Sequence, residues 1–138
     1  MTFPARWAAG DVLVVDVAGA FDVAGAFDDA GTFDDAVAAG LCGLLARMAR
    51  TGQRLFAVDF LGVERCTAGA VRQFVKTGLE AERAPDGGSV ALVATAAARS
   101  ALRAAGADRL TGGVHATVTN AVEALHPAAP EELGEPAP

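Results

Sequence analysis

The segment SVALVATAAARSALRAAGADRLTGGVHATVTNAVEAL, Ser89–Leu125, contains the same pattern twice: a short strand-like run, then apolar residues at helical spacing. The runs GGSVALVAT (Gly87–Thr95) and GGVHATV (Gly112–Val118) are predicted strands. The apolar residues after them recur every three or four positions, which predicts two amphipathic helices. These residues are Ala98, Leu102 and Ala105 in the first helix, and Val118, Val122 and Leu125 in the second. Gly106 suits the left-handed residue that ends the first helix.

The same alternation extends toward the start of the chain. Further strands are predicted in DVLVVDVAG (Asp11–Gly19) and QRLFAVDF (Gln53–Phe60), with a shorter one around Ala5–Trp7. Two more amphipathic helices are predicted from apolar positions at Val37, Leu41, Leu44, Leu45 and Met48, and at Val71, Phe74, Val75, Gly78 and Leu79. Strands alternating with helices predict one α/β domain over residues 1–126. Residues 127–138, rich in proline and glutamate, are predicted to be a disordered tail.

One six-residue phrase, Gly-x-Phe-Asp-x-Ala, occurs three times in succession between Gly19 and Ala36. A continuous helix through all three copies is disfavoured, because steps of six residues turn each ring by ~240° and each interior glycine costs ~1 kcal/mol. Only the third copy has a hydroxyl, and Thr32 with Asp35 resembles a capping box. We therefore expect the helix to begin at this copy, in a turn containing Gly31, Thr32 and Asp34. Residues 19–30 are then an exposed insertion.

Composition narrows the functional classes. The chain has 138 residues, 52% of them hydrophobic, and a net charge of -6, so nucleic acid and anionic membranes are unfavourable partners. No apolar run approaches the ~20 residues of a membrane span, and the start lacks a signal peptide's apolar core. We therefore expect a cytoplasmic protein without membrane insertion.

The residue types that carry catalytic or metal chemistry are sparse. Cys42 and Cys66 stand far apart, which favours buried free thiols, and the two histidines have no metal-ligand spacing. The only serines, Ser89 and Ser100, lack a Gly-x-Ser-x-Gly context. The sequence predicts neither an enzyme nor a bound metal or cofactor.

With the helix starting at the third copy, the chain resembles the STAS family, the domain of bacterial anti-sigma factor antagonists. GTFD (Gly31–Asp34) resembles the family's Gly-x-Leu-Asp turn, VDFLGV (Val58–Val63) its strand end Asp-Leu-Ser-x-Val, and TAGAV (Thr67–Val71) its loop Asp-Ser-Ser-Gly-Leu. The resemblance extends from about Val12 to Leu125 and includes the turn GADRL. It implies a mixed sheet of four or five strands with helices mainly on one face.

The resemblance also implies a function, namely a protein-interaction regulator that binds an anti-sigma factor or a kinase-like ATPase. In switchable members of the family, the first serine of the loop is phosphorylated by that partner. Aligned without gaps from Asp59, this chain has Thr67 at the family's aspartate, Ala68 at the phosphoserine, Gly69 at the second serine and Ala70 at the glycine. The usual acceptor is then missing. A shift of one residue would make Thr67 the acceptor, but it takes the apolar helix residues out of register.

Several readings of this loop stay open. Thr67 is either a helix N-cap, for which threonine is a preferred residue, or a displaced phospho-acceptor. The binding face that the resemblance implies is the loop Cys66–Ala70 and the first turns of the helix after it. Arg65 and Arg72, which flank this loop, contact an acidic partner or are simply solvated. Asp59 either shapes the loop or contacts the partner.

Two other functional classes compete with the anti-sigma factor antagonist. One is a small-ligand or nucleotide-binding STAS module that uses the helix start as an anion nest. The other is a STAS subunit of a transporter or of another signalling complex. The identity of the partner and the oligomeric state are not contained in the sequence.

Overall fold

The structure is a computed structural model that describes residues 3–18, 32–84 and 88–125. In this part of the chain, strands and helices alternate, with short 3-10 turns at Ala9–Asp11 and Ala107–Arg109. The strands are β1 (Ala5–Ala8), β2 (Val12–Asp16), β3 (Thr32–Phe33), β4 (Leu55–Asp59), β5 (Arg65–Cys66), β6 (Ser89–Val93) and β7 (Gly113–His115). The helices are α1 (Asp35–Arg50), α2 (Ala68–Arg83), α3 (Ala96–Ala104) and α4 (Val118–Ala124).

Five of these strands form one mixed sheet in the order β1-β2-β4-β6-β7. The edge strand β1 is antiparallel to β2, and the other neighbours are parallel. The register aligns Asp16 with Asp59, Asp59 with Val93, and Val93 with His115. These residues mark the edge where the parallel strands end, called here the strand-end edge; the opposite one is the strand-start edge. The strands β3 and β5 form a separate parallel pair.

The sheet is covered on both faces, as its continuous apolar strands require. Because successive strand residues point to opposite faces, β2 contributes Leu13 and Val15 to the larger apolar cluster and Val12 and Val14 to the smaller one. Helices α1, α2 and α3 pack into the larger cluster. Helix α4 packs against the other face through Ala121 and Leu125 and completes the smaller cluster.

The structure confirms the α/β class, the mixed five-stranded sheet and the predicted position of most helices on one face. The apolar stripe predicted on α2 is buried along its length, and Gly106 adopts the predicted left-handed conformation after α3, with φ of 94°. None of the helices in the described ranges is long and apolar enough to cross a membrane.

One expectation about the first helix is wrong. The helix begins within the third copy of the phrase, as predicted, but its N-cap is Asp34 rather than Thr32. Thr32 lies in β3, where its extended backbone pairs with Arg65, so it stands too far before the helix to cap it. Gly31, the insertion of residues 19–30 and the tail of residues 127–138 lie outside the described residues.

Candidate functional site

The loop that follows β4 at the strand-end edge leads through β5 into α2. The Asp59 carboxylate shapes this loop, because its Oδ1 accepts a hydrogen bond of 2.8 Å from the backbone N–H of Leu61. The next turn is closed by the N–H of Val63, which donates to the carbonyl of Phe60 at 2.9 Å. Of the two roles that the sequence left open for Asp59, loop shaping is therefore observed directly.

The β3–β5 pair holds the starts of two helices side by side. Thr32 is aligned with Arg65 and Phe33 with Cys66, and the N–H of Thr67 donates to the carbonyl of Phe33 at 3.0 Å. Since α1 follows β3 directly and α2 follows β5, both first turns emerge at the same place. A Cβ added to Gly69 would lie 3.4 Å from an Asp35 carboxylate oxygen, so a small residue at position 69 lets the two helix starts approach closely.

A cluster of three aromatic rings lies beneath these helix starts. Phe33, Phe60 and Phe74 are all fully buried. Their ring centroids are 5.0 Å apart for Phe33–Phe60, 5.5 Å for Phe60–Phe74 and 6.2 Å for Phe33–Phe74, in edge-to-face arrangements. Such geometry is the favourable one for aromatic pairs. The cluster joins the third copy of the phrase, the loop and α2 into one packed unit.

The first turn of α2 is capped and exposed. The Thr67 hydroxyl oxygen accepts a hydrogen bond of 3.3 Å from the N–H of Ala70, so the N-cap reading of Thr67 is observed. Thr67, Ala68 and Gly69 are exposed, whereas Ala70 is buried. The turn therefore presents a surface of small residues on a rigid base.

A groove of about 260 Å³ runs beside this turn, between α2 and the last turn of α3. Its lining is mostly apolar and consists of Cys66, Ala68, Val71, Arg72, Ala101, Ala104 and Ala105. Burial raises the pKa of the Cys66 thiol, which keeps this sulfur neutral and apolar in character at neutral pH. The groove is suited to an apolar side chain of a bound molecule. A carboxylate next to that side chain would be attracted by the exposed Arg72.

Gly31 apart, which is not described, the residues predicted for the site lie at the ends of β4 and β5 and at the starts of α1 and α2. Arg65 and Arg72 are both exposed. Cys66, which follows Arg65 and lines the groove together with Arg72, is a half-buried free thiol rather than a fully buried one. Arg65 reaches Thr32, with 3.5 Å between Nη2 and the hydroxyl oxygen. Sequence reasoning missed Leu61, which is 40% exposed at the tip of the loop; its place in an apolar run gave no signal that it faces outward.

Within the described part of the chain, no group of three or more histidine, cysteine or acidic side chains is arranged to hold a metal ion. Comparison of the chain with protein-family models, with curated proteins and with solved structures gives no match. The geometry of the site is therefore the basis for a functional proposal.

Proposed function

We propose that this chain is a non-enzymatic protein-interaction regulator of the anti-sigma factor antagonist kind. It docks onto an anti-sigma factor or a related kinase-like ATPase through the strand-end loop and the first turn of α2. The observation that carries the proposal is the exposed run Thr67-Ala68-Gly69, held at a helix start over the buried phenylalanine cluster. The resemblance to the STAS family supports the choice of partner class.

The physical case for docking rests on shape and preorganisation. Small side chains at a capped helix start allow a partner's backbone to approach closely, and little conformational entropy is lost because Asp59 and Thr67 already fix the loop. Leu61, in the same loop, adds an exposed apolar side chain. Arg65 and Arg72 are exposed as well, and their positive charges steer an acidic partner surface toward the loop.

The same geometry argues against the usual phosphorylation switch. Ala68, which stands at the acceptor position in the ungapped alignment, has no hydroxyl. The Thr67 oxygen is engaged as the α2 cap. A phosphate on this loop would add about -1.5 to -2 charges and weaken partner binding. Without an acceptor residue, binding cannot be weakened in this way. In this proposal the protein is always able to bind its partner, and the amount of the protein sets how much of the partner is bound.

The test introduces a charge at the centre of the surface. The variant Ala68→Glu places a carboxylate where the partner packs, so we expect a large loss of docking through desolvation and repulsion. A carboxylate in the first turn of a helix is tolerated by the helix dipole, so the fold remains intact. Ala96→Glu is the matched control, because Ala96 is exposed and also directly follows a threonine N-cap, Thr95.

The binding measurement is affinity purification from the source cells, with mass spectrometry of the retained proteins. A protein with a kinase-like ATPase domain should be retained by the wild type and by Ala96→Glu, and lost with Ala68→Glu. Equal retention by all three contradicts the proposed docking surface. Incubation of the wild type with that ATPase and ATP should leave Thr67 unmodified; stoichiometric phosphate there contradicts the absence of a switch.

A further inference from the structure

The groove between α2 and α3 lies in a positively charged region of an acidic protein. The whole chain has 17 acidic and 11 basic side chains and a net charge of -6. The two segments that border the groove, residues 65–76 and residues 96–104, contain no aspartate or glutamate. Their basic residues are Arg65, Arg72, Lys76, Arg99 and Arg103. The local charge of these segments is therefore opposite to that of the chain.

The basic residues on the two sides of the groove differ in their surroundings. On α3, Arg99 Nη1 donates a hydrogen bond of 2.9 Å to the carbonyl of Ala94, and Arg103 forms an ion pair with Asp108 at 3.4 Å. On the other side, the basic side chains are exposed to solvent; they belong to Arg65, Arg72 and Lys76. Arg72 also lines the groove itself, so its positive charge lies where a bound group would meet it.

The groove has the size and the lining for one aliphatic side chain. Its volume of about 260 Å³ is below the roughly 300–1,000 Å³ of sites that hold small molecules. Apart from Arg72, its lining consists of small or aliphatic residues, namely Cys66, Ala68, Val71, Ala101, Ala104 and Ala105. Walls of alanine leave room for a longer aliphatic chain, whose removal from water is favourable. A side chain of another protein therefore fits this groove better than a cofactor does.

We propose that the groove receives one aliphatic side chain of an acidic segment of the partner, and that carboxylates beside it on this segment face the exposed cations. The acidic character follows from charge complementarity with Arg65, Arg72 and Lys76, which attract such a segment and repel a basic one. The apolar lining requires the aliphatic residue, because a charged group placed there would lose its hydration.

The groove continues the proposed docking surface, because Ala68 belongs both to the exposed turn and to the groove lining. The identity of the partner in this inference rests on the proposed function. The chemistry of the bound segment rests on the groove alone, so the two can be tested separately.

Peptide titration of the full chain tests the chemistry of the segment. The probes are three end-blocked peptides: Glu-Glu-Leu-Glu-Glu, the same peptide with alanine for leucine, and Lys-Lys-Leu-Lys-Lys. In amide NMR spectra, the acidic leucine peptide should shift the signals of Cys66, Val71 and Ala104, with a Kd about ten-fold lower than that of the alanine peptide. Signals of Gly52 and Ser89, at the strand-start edge, should not move. Equal binding of the two acidic peptides, equal binding of the lysine peptide, or no shift at the groove overturns the proposal.

Two substitutions in the lining sharpen the titration. Ala101→Leu fills the groove from α3, and since leucine is a strong helix former the helix should remain folded, which circular dichroism verifies. It should raise the Kd of the acidic leucine peptide about ten-fold. Arg72→Gln removes one of the cations and should raise it about three-fold. The matched control is Ala96→Leu, at an exposed position of α3 outside the lining, which should leave the Kd unchanged. Equal Kd values for Ala101→Leu and Ala96→Leu contradict the groove as the binding site.

The affinity purification described above separates this inference from the proposed function. Ala101→Leu should retain less of the kinase-like ATPase than Ala96→Leu does. If Ala101→Leu retains it fully while Ala68→Glu does not, the docking surface stands and the groove proposal is wrong. If the wild type retains no such ATPase but the acidic leucine peptide still shifts the groove signals, the proposed partner class is wrong and the groove proposal stands.

Discussion

The two ends of α2 are held in different ways. Its first turn is held by the Thr67 hydroxyl and by packing on the phenylalanine cluster, whereas its last turns are held by Glu82, which binds two other segments. The first turn leaves Thr67, Ala68 and Gly69 exposed. Near the other end, Glu82 accepts hydrogen bonds of 2.8 Å from the N–H of Val90 and 2.9 Å from the hydroxyl of Thr111. One end of the helix is thus available for contact with another molecule, and the other is committed to the fold.

The difference shows how one helix serves two purposes. Glu82 accepts hydrogen bonds from β6 and from the turn before β7, and so joins α2 to segments that come later in the chain. These bonds fix the helix against the sheet, so the opposite end needs no polar side chains beyond its cap. The side chain that fixes α2 to the sheet and the residues that form its exposed surface therefore lie at opposite ends of the helix. Substitutions at the two ends should have distinct effects.

The largest effect is expected beneath the exposed end. Phe74→Ala removes a fully buried ring that contacts both Phe33 and Phe60, and it should lower the free energy of unfolding by about 3–5 kcal/mol. Urea unfolding followed by circular dichroism measures the change. Gln73→Ala, at the exposed neighbouring position, is the control and should stay within about 0.5 kcal/mol of wild type. If Phe74→Ala lowered the free energy of unfolding by less than about 1 kcal/mol, the cluster would not be what stabilises the first turn of α2.

An intermediate effect is expected at the committed end. Glu82→Ala leaves the part-buried N–H of Val90 and the N–H of Thr111 without their acceptor, at a cost of about 2–3 kcal/mol in the free energy of unfolding. Glu82→Gln retains one acceptor oxygen and should lose about half as much. The same urea titration applies, with Glu80→Ala, an exposed glutamate on the same helix, as the control. Equal losses for the alanine variants at positions 80 and 82 would refute the special role of Glu82.

The smallest effect is expected at the cap itself. Thr67→Ala removes the acceptor for the Ala70 N–H and should cost about 1 kcal/mol. Thr67→Ser keeps the oxygen, so its free energy of unfolding should differ from that of the wild type by about 0.3 kcal/mol. Thermal unfolding of the three proteins at one concentration distinguishes them. If serine and alanine destabilise equally, the hydroxyl is not acting as the cap.

Much of the fold was predictable because its signals are local. The stripe Val71–Leu79 follows helical spacing and is buried as predicted, and a glycine after α3 takes the left-handed conformation that glycine permits. Thr67 as an N-cap was also confirmed. Each of these depends on residues within one or two turns of each other.

The features that were missed depend on distant partners. Thr32 was predicted to cap α1, but its pairing with Arg65 makes it a strand residue, and that partner is 33 positions away. The bonds of Glu82 to Thr111 span 29 positions. Nothing in the local pattern of LFAVDFLGV distinguishes the buried Phe60 from the exposed Leu61. Topology, rather than composition, decides these positions.

The short β3–β5 pair has a consequence for the length of the chain before it. The start of α1 is held by Cys66 and Thr67, which follow it in the sequence, through pairing with Phe33. A long surface loop costs little loop-closure entropy to lengthen or shorten. Because β3 is held by residues that come later in the chain, the loss of one whole six-residue copy before Gly31 should shorten the polypeptide and leave the register of β3, and of the exposed turn Thr67–Gly69 beside it, the same.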